Sequence, residues 1–286
     1  MQTIIKIKDP VERLFAFAKE RHAITMRRAA GKPPPWTDDP VLRDYRFCSV
    51  YRELDRVTVW IADHWRTPHA DDPDLWFAMC VARLLNLPAS LEAVKYPVPW
   101  RELTFVQRVD QLWHRGDRAF NAAYIVSAPT APKHVYLAEK VLTPLWEQRR
   151  QLRPKMGDTL NSYHMVLGQM HGFGSFMSAQ VVADLKYVEP LQNATDWWTF
   201  AASGPGSRRG LNYVIGRDRD TPWTEEEWRL ELSRLHSALL PMFARAKMPK
   251  PHAQDIQNVL CEWSKYYRAA TGGKKPKQKY NWKDAA

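Results

Sequence analysis

Cysteine and glycine are scarce in this sequence, and long apolar runs are absent. The three cysteines stand far apart, at positions 48, 80 and 261. None belongs to a C-x-x-C pair, which argues against a disulfide framework and a thiolate zinc site. The 12 glycines among 286 residues are fewer than an average chain carries, which disfavours the glycine-rich α/β nucleotide-binding folds. Because no apolar run approaches the ~18 residues of a membrane span, we expect no membrane partner.

Several catalytic signatures are also missing. The sequence contains no G-x-x-x-x-G-K-[ST] phosphate loop, no G-x-S-x-G and no H-E-x-x-H, so it does not read as a P-loop kinase or as an enzyme built on the other two signatures. We therefore expect neither a metal nor an organic cofactor. The first residues lack the apolar stretch of a secretory signal, which predicts a soluble protein in a reducing, intracellular compartment.

Positive charge and aromatic rings, by contrast, are abundant. Lysine and arginine number 42 against 31 aspartates and glutamates, a net charge of +11, and the chain carries 13 tryptophans, 11 tyrosines and 10 phenylalanines. Cations for phosphates and rings for unstacked bases are what a nucleic-acid partner needs. The alternative, which composition alone favours, is a tryptophan-rich helical core under a basic surface. Residues 272–286 concentrate lysines and predict a disordered basic tail that touches phosphate nonspecifically.

Helical signals occur along almost the whole chain. Apolar spacings of three and four, with Asp-Pro pairs at the starts and Gly or Pro at the ends, predict a series of helices. These are residues 10–30, 39–65, 75–85, 102–115, 132–150, 157–170, 175–186, 224–245 and 253–268. Only residues 3–7 and 124–126 look strand-like. The sequence therefore predicts an all-α protein with one helical domain over residues 1–271.

Two glycines mark a sharp turn between two of these helices, in a hairpin over about residues 157–186. Gly172 and Gly174 stand in a G-x-G turn that ends at Ser175, where a helix N-terminus with uncovered N–H groups can hold a DNA phosphate. This segment resembles the helix-hairpin-helix of base-excision DNA glycosylases. An ordinary corner between two helices remains the alternative.

A Gly/Pro segment with two arginines follows the hairpin. Ser207, Arg208 and Arg209 close the run from Gly204, and guanidinium forks beside backbone donors suit phosphate oxygens. The alternative is a solvated loop. In the glycosylases an essential aspartate follows the hairpin, and Asp196 is the nearest match. Ser175 and Phe176 stand where bifunctional glycosylases carry a lysine, so a Schiff-base lyase is not expected.

Two further stretches combine charge with helical spacing. Asp255, Asn258, Glu262 and Lys265 gather on one side of the last predicted helix, opposite an apolar stripe. The second stretch presents Arg46, Arg52, Asp55 and Arg56 over about three turns. The first set is either a solvated face or a site, and the second is either an internal ion-pair network or an anion-binding wall.

Together these stretches resemble the helical, glycosylase-derived proteins of thymine hypermodification in bacteriophages. That group includes the helical domain of 5-hydroxymethyluracil DNA kinases, the alpha-glutamyl/putrescinyl-thymine pyrophosphorylases and the amino acid:DNA transferases. The similarity spans about residues 10–270 and is carried by Glu20-Arg21-His22, Pro35-Trp36-Thr37, Arg46-Phe47, Tyr51 to Arg56, Gly172-Phe173-Gly174, Gly204 to Gly210, and Asp255 to Asn258 with Glu262 and Lys265. Ser49 departs from the asparagine expected in relatives.

The resemblance implies an amine or amino-acid transferase that acts on double-stranded DNA with a flipped modified base. The amine would displace pyrophosphate from pyrophosphorylated 5-hydroxymethyluracil, downstream of a phage DNA-modification kinase, in the cytoplasm of the infected bacterial host. Arginines would stabilise the departing pyrophosphate and a carboxylate would accept the proton of the amine. The implied residues are catalytic Asp55, Asp184, Asp255, Glu262 and Lys265; substrate-binding Trp36, Arg46, Arg52, Gln257 and Asn258; and DNA-binding Gly172, Gly174, Ser175, Ser207, Arg208 and Arg209.

Two other functions remain open at this point. A monofunctional glycosylase would use Asp196 to activate water and would leave abasic sites in DNA. A non-catalytic DNA-binding subunit would guide another enzyme of the pathway, and its DNA binding would be sensitive to salt.

Overall fold

The structure, a computed structural model, describes residues 4–121, 128–129 and 132–280. These residues form helices and contain no β-strand, which confirms the predicted all-α class. The α-helices are α1 (Pro10–Ala29), α2 (Pro40–Asp44), α3 (Arg56–Ile61), α4 (Leu75–Leu85), α5 (Pro88–Val94), α6 (Glu102–His114), α7 (Lys133–Tyr136), α8 (Thr143–Glu147), α9 (Arg149–Leu152), α10 (Leu160–Gly168), α11 (Ser175–Leu185), α12 (Pro205–Ile215), α13 (Glu225–Arg245) and α14 (Ala253–Ala270). None of these described helices has the length and apolar character that would let it traverse a bilayer.

The chain divides into two compact units. Unit 1 consists of Met1–Asp55 and Ala201–Ala286, and unit 2 of Arg56–Phe200. Unit 1 is therefore built from both ends of the sequence, and unit 2 from its middle. Whether the two units fold as the single domain predicted over residues 1–271 stays a prediction.

The core of unit 1 is aromatic and is built from α1, α12, α13 and α14. Phe17 of α1 lies 5.4 Å from Trp263 and 4.8 Å from Tyr266, measured between ring centroids. Helices α12 and α14 approach closely, because a Cβ at Gly210 would lie 2.0 Å from the carbonyl oxygen of Leu260. Gly210 is thus the residue that allows α12 to pack against α14.

Unit 2 is organised around α4, all of whose residues are buried. Its one charged residue, Arg83, donates Nε to Asp184 Oδ2 at 2.5 Å and Nη1 to Asn86 Oδ1 at 3.0 Å. A buried ion pair is tolerated when its remaining polar atoms are bonded. Helix α11, which carries Asp184, packs against α4 and against α10.

Three predicted segments differ from the structure. The helix predicted over 39–65 stops at Asp44 and resumes only at Arg56, because the polar groups of the intervening backbone bind side chains of α1 and α14. Residues Ile4–Lys6 form a short 3-10 helix and not a strand, and the strand-like residues 124–126 lie outside the described part. The Gly/Pro segment from 205 is not a loop but the first turn of α12, with Pro205 at a first-turn position.

Part of the predicted disordered tail has a defined place. The amide of Arg46 donates to the carbonyl of Gln278 at 3.0 Å, and the amide of Tyr280 donates to the carbonyl of Asp44 at 3.2 Å. Tyr280 also contacts the ring of Trp36 at a centroid distance of 5.4 Å. An aromatic side chain and two backbone bonds thus give residues 278–280 defined contacts on unit 1, and the disorder of the tail stays a prediction. Residues 281–286 lie outside the described part.

Candidate active site

The last helix of unit 1 brings together most of the polar residues predicted for the site. Asp255, Asn258, Glu262 and Lys265 follow one another at spacings of three and four along α14, so they form one stripe on its surface. Asp255 and Glu262 are each 3% exposed. The stripe is therefore not a solvated face, which was the alternative interpretation of this pattern.

The segment between α2 and α3 lies against this stripe through its backbone. Asn258 donates Nδ2 to the carbonyl of Ser49 at 2.8 Å, and the amide of Cys48 donates to Glu262 Oε2 at 3.4 Å. The amide of Arg52 donates to Asp255 Oδ1 at 3.2 Å. These bonds explain why residues 45–51 are not helical, since their amides and carbonyls are committed to side chains of another helix.

Arg21 of α1 completes the cluster, and sequence reasoning gave it no role. It is 3% exposed, and it donates to the carbonyls of both Cys48 and Ser49. Its Nη1 is buried and has no hydrogen-bond partner among the described residues. The signal that could have found it is its position in the buried stripe of α1, where Leu14, Phe17 and Ile24 precede and follow a charged residue.

Asp55 is the carboxylate of this cluster that the fold holds least tightly. Its Oδ1 accepts the amide of Ser49 at 2.9 Å, and the residue is only partly buried. Burial raises the pKa of Asp55 above its usual value, against the lowering effect of the Ser49 amide and of Arg21 and Arg52. A carboxylate whose pKa is raised is a better proton acceptor at neutral pH than an ordinary aspartate.

Glu262 and Lys265 form a close ion pair at the edge of the cluster. Lys265 Nζ lies 2.5 Å from Glu262 Oε1, and the lysine side chain is 44% exposed. Burial opposes the ammonium form, but Glu262 and Cys261 outweigh it and raise the pKa of Lys265. Lys265 therefore carries a fixed positive charge between the buried carboxylate and solvent.

The other predicted residues of this region have different surroundings. Asp255 caps α14, because its Oδ2 accepts the amide of His252 at 2.9 Å. Trp36 is buried, with Nε1 donating to the carbonyl of Lys32 at 2.7 Å. Arg46 is exposed and Gln257 is partly buried. Asp255 and Trp36 thus serve the framework of unit 1, while Arg46 presents its charge to solvent.

Comparison with known proteins now decides the family. A sequence model of the helical domain of 5-hmdU DNA kinase matches residues 8–275. The chain belongs to this family. It is also similar to a 5-hmdU DNA kinase of Bacillus phage SP10, with 26% identity over an alignment of 306 residues that covers 92% of this chain and 47% of the kinase. The chain thus spans about half the length of that relative, and no solved structure matches it.

In this member of the family, the two arginines predicted to bind DNA are engaged in ion pairs. Arg208 donates Nη2 to Glu225 Oε2 at 3.1 Å and Nε to Ser203 Oγ at 2.8 Å. Arg209 donates Nε to Asp220 Oδ1 at 2.8 Å. Ser207 is fully buried and accepts the amide of Gly204, so its hydroxyl is not exposed for the predicted DNA contact. The role of both arginines in DNA binding stays a prediction.

Helices α10 and α11 of unit 2 and the turn between them occupy the segment predicted as a hairpin, and its similarity to the glycosylase hairpin stays a prediction. Gly172 has φ of +84°, and a Cβ there would lie 2.9 Å from both methyl groups of Val141, so this position requires glycine. Gly174 and Ser175 are exposed at the start of α11. Asp196, the aspartate of the glycosylase alternative, accepts the amides of Leu160 and Asn161 at 2.8 and 2.9 Å. It therefore caps α10, an arrangement that does not favour a role in activating water.

Asp184 differs most from its predicted role. Its side chain is 0% exposed, and its two carboxylate oxygens accept from Arg83. A carboxylate that is enclosed and bonded in this way has no access to a substrate proton. The structure therefore assigns Asp184 to the core of unit 2.

Proposed function

We propose that this protein is a transferase of the 5-hmdU modification pathway, in which an amine or amino acid displaces pyrophosphate from pyrophosphorylated 5-hydroxymethyluracil in DNA. Membership of the 5-hmdU DNA kinase helical-domain family supports the pathway. The observation that carries the proposal is the mixed cluster formed by α14, α1 and the segment before α3, where three carboxylates and three cations lie beside a solvent-exposed edge. These are Asp55, Asp255, Glu262, Arg21, Arg52 and Lys265.

The reaction has a simple balance. The lone pair of the amine nitrogen forms a bond to the exocyclic methylene carbon, and the bond from that carbon to the pyrophosphate oxygen breaks with its electron pair on the oxygen. The nitrogen then loses one proton. The site must therefore supply a proton acceptor and positive charge at the leaving oxygen, and it must exclude water as a competing nucleophile.

Asp55 is the residue we assign as proton acceptor. Its raised pKa lies closer to the pKa of the protonated amine from which it must accept a proton. The hydrogen bond from the Ser49 amide occupies only Oδ1, which leaves Oδ2 as the accepting atom. Glu262 is held by Lys265 and the amide of Cys48, and Asp255 is held by the amides of Arg52 and His252. These two carboxylates position the segment that presents Asp55.

Lys265 and Arg46 are the cations we assign to the departing pyrophosphate. Lys265 is partly exposed and keeps its charge beside Glu262. Arg46 is exposed two residues before Cys48. A fixed cation at a developing phosphate charge typically accounts for several kcal/mol of transition-state stabilisation.

The test uses duplex DNA in which 5-hydroxymethyluracil has been pyrophosphorylated, the full chain, and a panel of amino acids and polyamines. We expect a new nucleoside by mass spectrometry together with an equal amount of released pyrophosphate. A panel that gives no nucleoside and no pyrophosphate would contradict the proposal. Abasic sites on alkali treatment would instead favour the glycosylase alternative.

A matched pair of variants locates the chemistry. Asp55→Asn removes the proton acceptor and keeps the shape, so we expect kcat to fall by about 10²–10⁴-fold. Asp218→Asn changes an exposed aspartate of the same unit and should leave kcat unchanged. If Asp55→Asn retains full transfer activity, Asp55 is not the base. If the wild-type chain shows no transfer on its own, and a reconstituted pathway still modifies DNA fully with Asp55→Asn, the protein is a binding subunit.

A further inference from the structure

Residues 272–280, which we call the arm, carry four lysines that all point to solvent. Lys274, Lys275, Lys277 and Lys279 are each exposed, whereas Tyr280 is partly buried. The arm is thus a short basic stretch with an aromatic residue at its end. Among the described residues, Arg208 and Arg209 are neutralised by ion pairs with Glu225 and Asp220. The four arm lysines form no such ion pairs there.

Tyr280 anchors the arm on unit 1. Its ring contacts Trp36, and the guanidinium of Arg28 lies 5.6 Å from the Tyr280 ring centroid and 5.2 Å from that of Trp36. Two backbone bonds between 44–46 and 278–280 add to this contact. The arm therefore has a fixed end beside Arg46, in contrast to a free basic tail.

Positive charge dominates the surface around this anchor. Arg28, Lys32 and Arg46 are exposed there. The exposed acids nearest in the sequence to these contacts are Asp38 and Asp44, and Asp44 is paired with Arg43. Burial raises the pKa of the Tyr280 phenol, and the nearby positive charges of Arg28 and Arg46 oppose this rise. The arm thus extends an existing basic region and does not cancel an acidic one.

We propose that the arm and the exposed arginines at its anchor form a surface that binds the phosphate backbone of DNA beside the candidate active site. The surface consists of Arg28, Arg46, Lys274, Lys275, Lys277 and Lys279. It rests on the proposed function in one respect, that DNA is the substrate.

The dimensions and the position of this surface suit that partner. From Lys274 to Lys279 the chain spans at most about 17 Å when extended, and one DNA strand places a phosphate about every 3.4 Å of helix axis. Arg46 precedes Cys48 and Ser49 of the polar cluster by two and three residues. A strand held by the arm would therefore be held next to the segment that carries Asp55.

The experiment measures the binding of an unmodified duplex to the full chain by fluorescence anisotropy over a range of salt concentrations. Replacing the four arm lysines by glutamine should reduce the slope of log K against log salt by about three to four units, since each phosphate contact contributes about 0.9. Tyr280→Ala leaves these lysines in place but releases the arm, so affinity should fall by about threefold or more with little change in slope. Tyr280→Phe keeps the ring contacts and loses only the hydrogen bond between the phenol and Arg28, so its affinity should stay closer to the wild type than that of Tyr280→Ala.

The control replaces four exposed lysines of the same unit, Lys6, Lys8, Lys247 and Lys250, by glutamine. A loss of slope as large as that of the arm variant would show that net charge alone matters and would overturn the proposal. Wild-type binding by the arm variant or by Tyr280→Ala would overturn it as well. Circular dichroism melting curves establish that each variant is folded. Because the duplex is unmodified and no amine is present, failure of the transfer reaction leaves this readout unchanged.

Discussion

Each unit of this protein buries an arginine beside carboxylates, and the two arrangements differ in how completely the charges are bonded. In unit 2 the donors of Arg83 reach Asp184, Asn86 and Thr58, and the side chains of Arg83 and Asp184 are 2% and 0% exposed. In unit 1 Arg21 binds two carbonyls, and its Nη1 has no partner among the described residues. Its neighbour Asp55 reaches solvent.

The difference distinguishes a structural ion pair from a candidate site. A saturated pair in a closed environment holds helices together, because each partner satisfies the other and any loss leaves an unpaired buried charge. A cluster with a partly exposed carboxylate and a raised pKa stores unfavourable free energy, which is typical of groups that act on a ligand. Burial of charge alone, which both units show, does not indicate function.

The largest effect we expect is on the closed pair. Asp184→Asn leaves Arg83 buried without a counter-charge and should lower the free energy of unfolding by about 3–5 kcal/mol, measured by urea denaturation. Where the variant is still folded, its kcat in the transfer assay should match that of the wild type. A loss of kcat with unchanged stability would break the comparison and restore Asp184 as a catalytic residue.

Arg21 should show a smaller loss of stability and a change in pH dependence. Arg21→Met leaves the carbonyls of Cys48 and Ser49 without donors, which should cost about 1–3 kcal/mol. Arg21 lowers the pKa of Asp55, so its removal raises that pKa, and the base form appears only at higher pH. The acid limb of the kcat profile should therefore move to higher pH.

The control for this shift is Arg21→Lys, which keeps the charge but loses the two-carbonyl fork. Its acid limb should stay close to that of the wild type even if its stability falls. The groups that face Asp55 are Arg21, Arg52, Glu262 and the Ser49 amide, so an unchanged limb in Arg21→Met would mean that Asp55 is not the group that titrates.

Asp55 should show little or no loss of stability when its charge is removed. Burial raises its folded-state pKa above the usual ~3.9, so the folded state favours the protonated form. Wild-type stability should then decrease as pH rises from the unfolded pKa to the folded pKa. Asp55→Asn lacks this decrease, so its free energy of unfolding at neutral pH, measured by urea denaturation, should be equal to or higher than that of the wild type.

The sequence predicted the helices better than the connections between them. Residues 75–85 and 253–268 are helical as expected, since the second carries an apolar stripe of helical period and the first is an apolar run longer than a typical strand. Residues 45–51 were predicted as helix and are not, because the deciding contacts come from Arg21 and Asn258, which lie far away in the chain. Similarly, the Gly/Pro run from Gly204 suggested a loop, whereas Gly206 and Gly210 within it allow α12 to pack closely on α14.

The candidate site could be predicted in part for the same reason. Spacing on one helix identified Asp255, Asn258, Glu262 and Lys265 as neighbours, since α-helical geometry fixes that relation. Spacing could not show that Arg21 lies beside them. It also could not distinguish a buried structural aspartate, Asp184, from a partly exposed one, Asp55, since the family resemblance implied a catalytic role for both. Only the hydrogen-bond partners make that distinction.

The smallest effect we expect is on the chemistry of Cys48, which reports the negative potential of the cluster. The residue is exposed, yet desolvation of its thiolate by the packed surroundings, with repulsion by Glu262 and Asp55, raises the pKa of the Cys48 thiol to about 12. An ordinary cysteine has a pKa near 8.5, so Cys48 should hold about three orders of magnitude less thiolate at neutral pH and alkylate correspondingly slowly with iodoacetamide.

Glu262→Gln tests the source of this potential. Because Glu262 raises the pKa of Cys48 and glutamine keeps an acceptor for the Cys48 amide, alkylation of Cys48 should become faster at a given pH, followed by peptide mapping. Asp218→Asn removes a charge elsewhere on unit 1 and should leave the rate unchanged. If Cys48 is alkylated equally fast in Glu262→Gln and in the wild type, the negative charge of Glu262 is fully neutralised by its neighbours. The cluster of unit 1 would then be as closed electrostatically as the pair of unit 2.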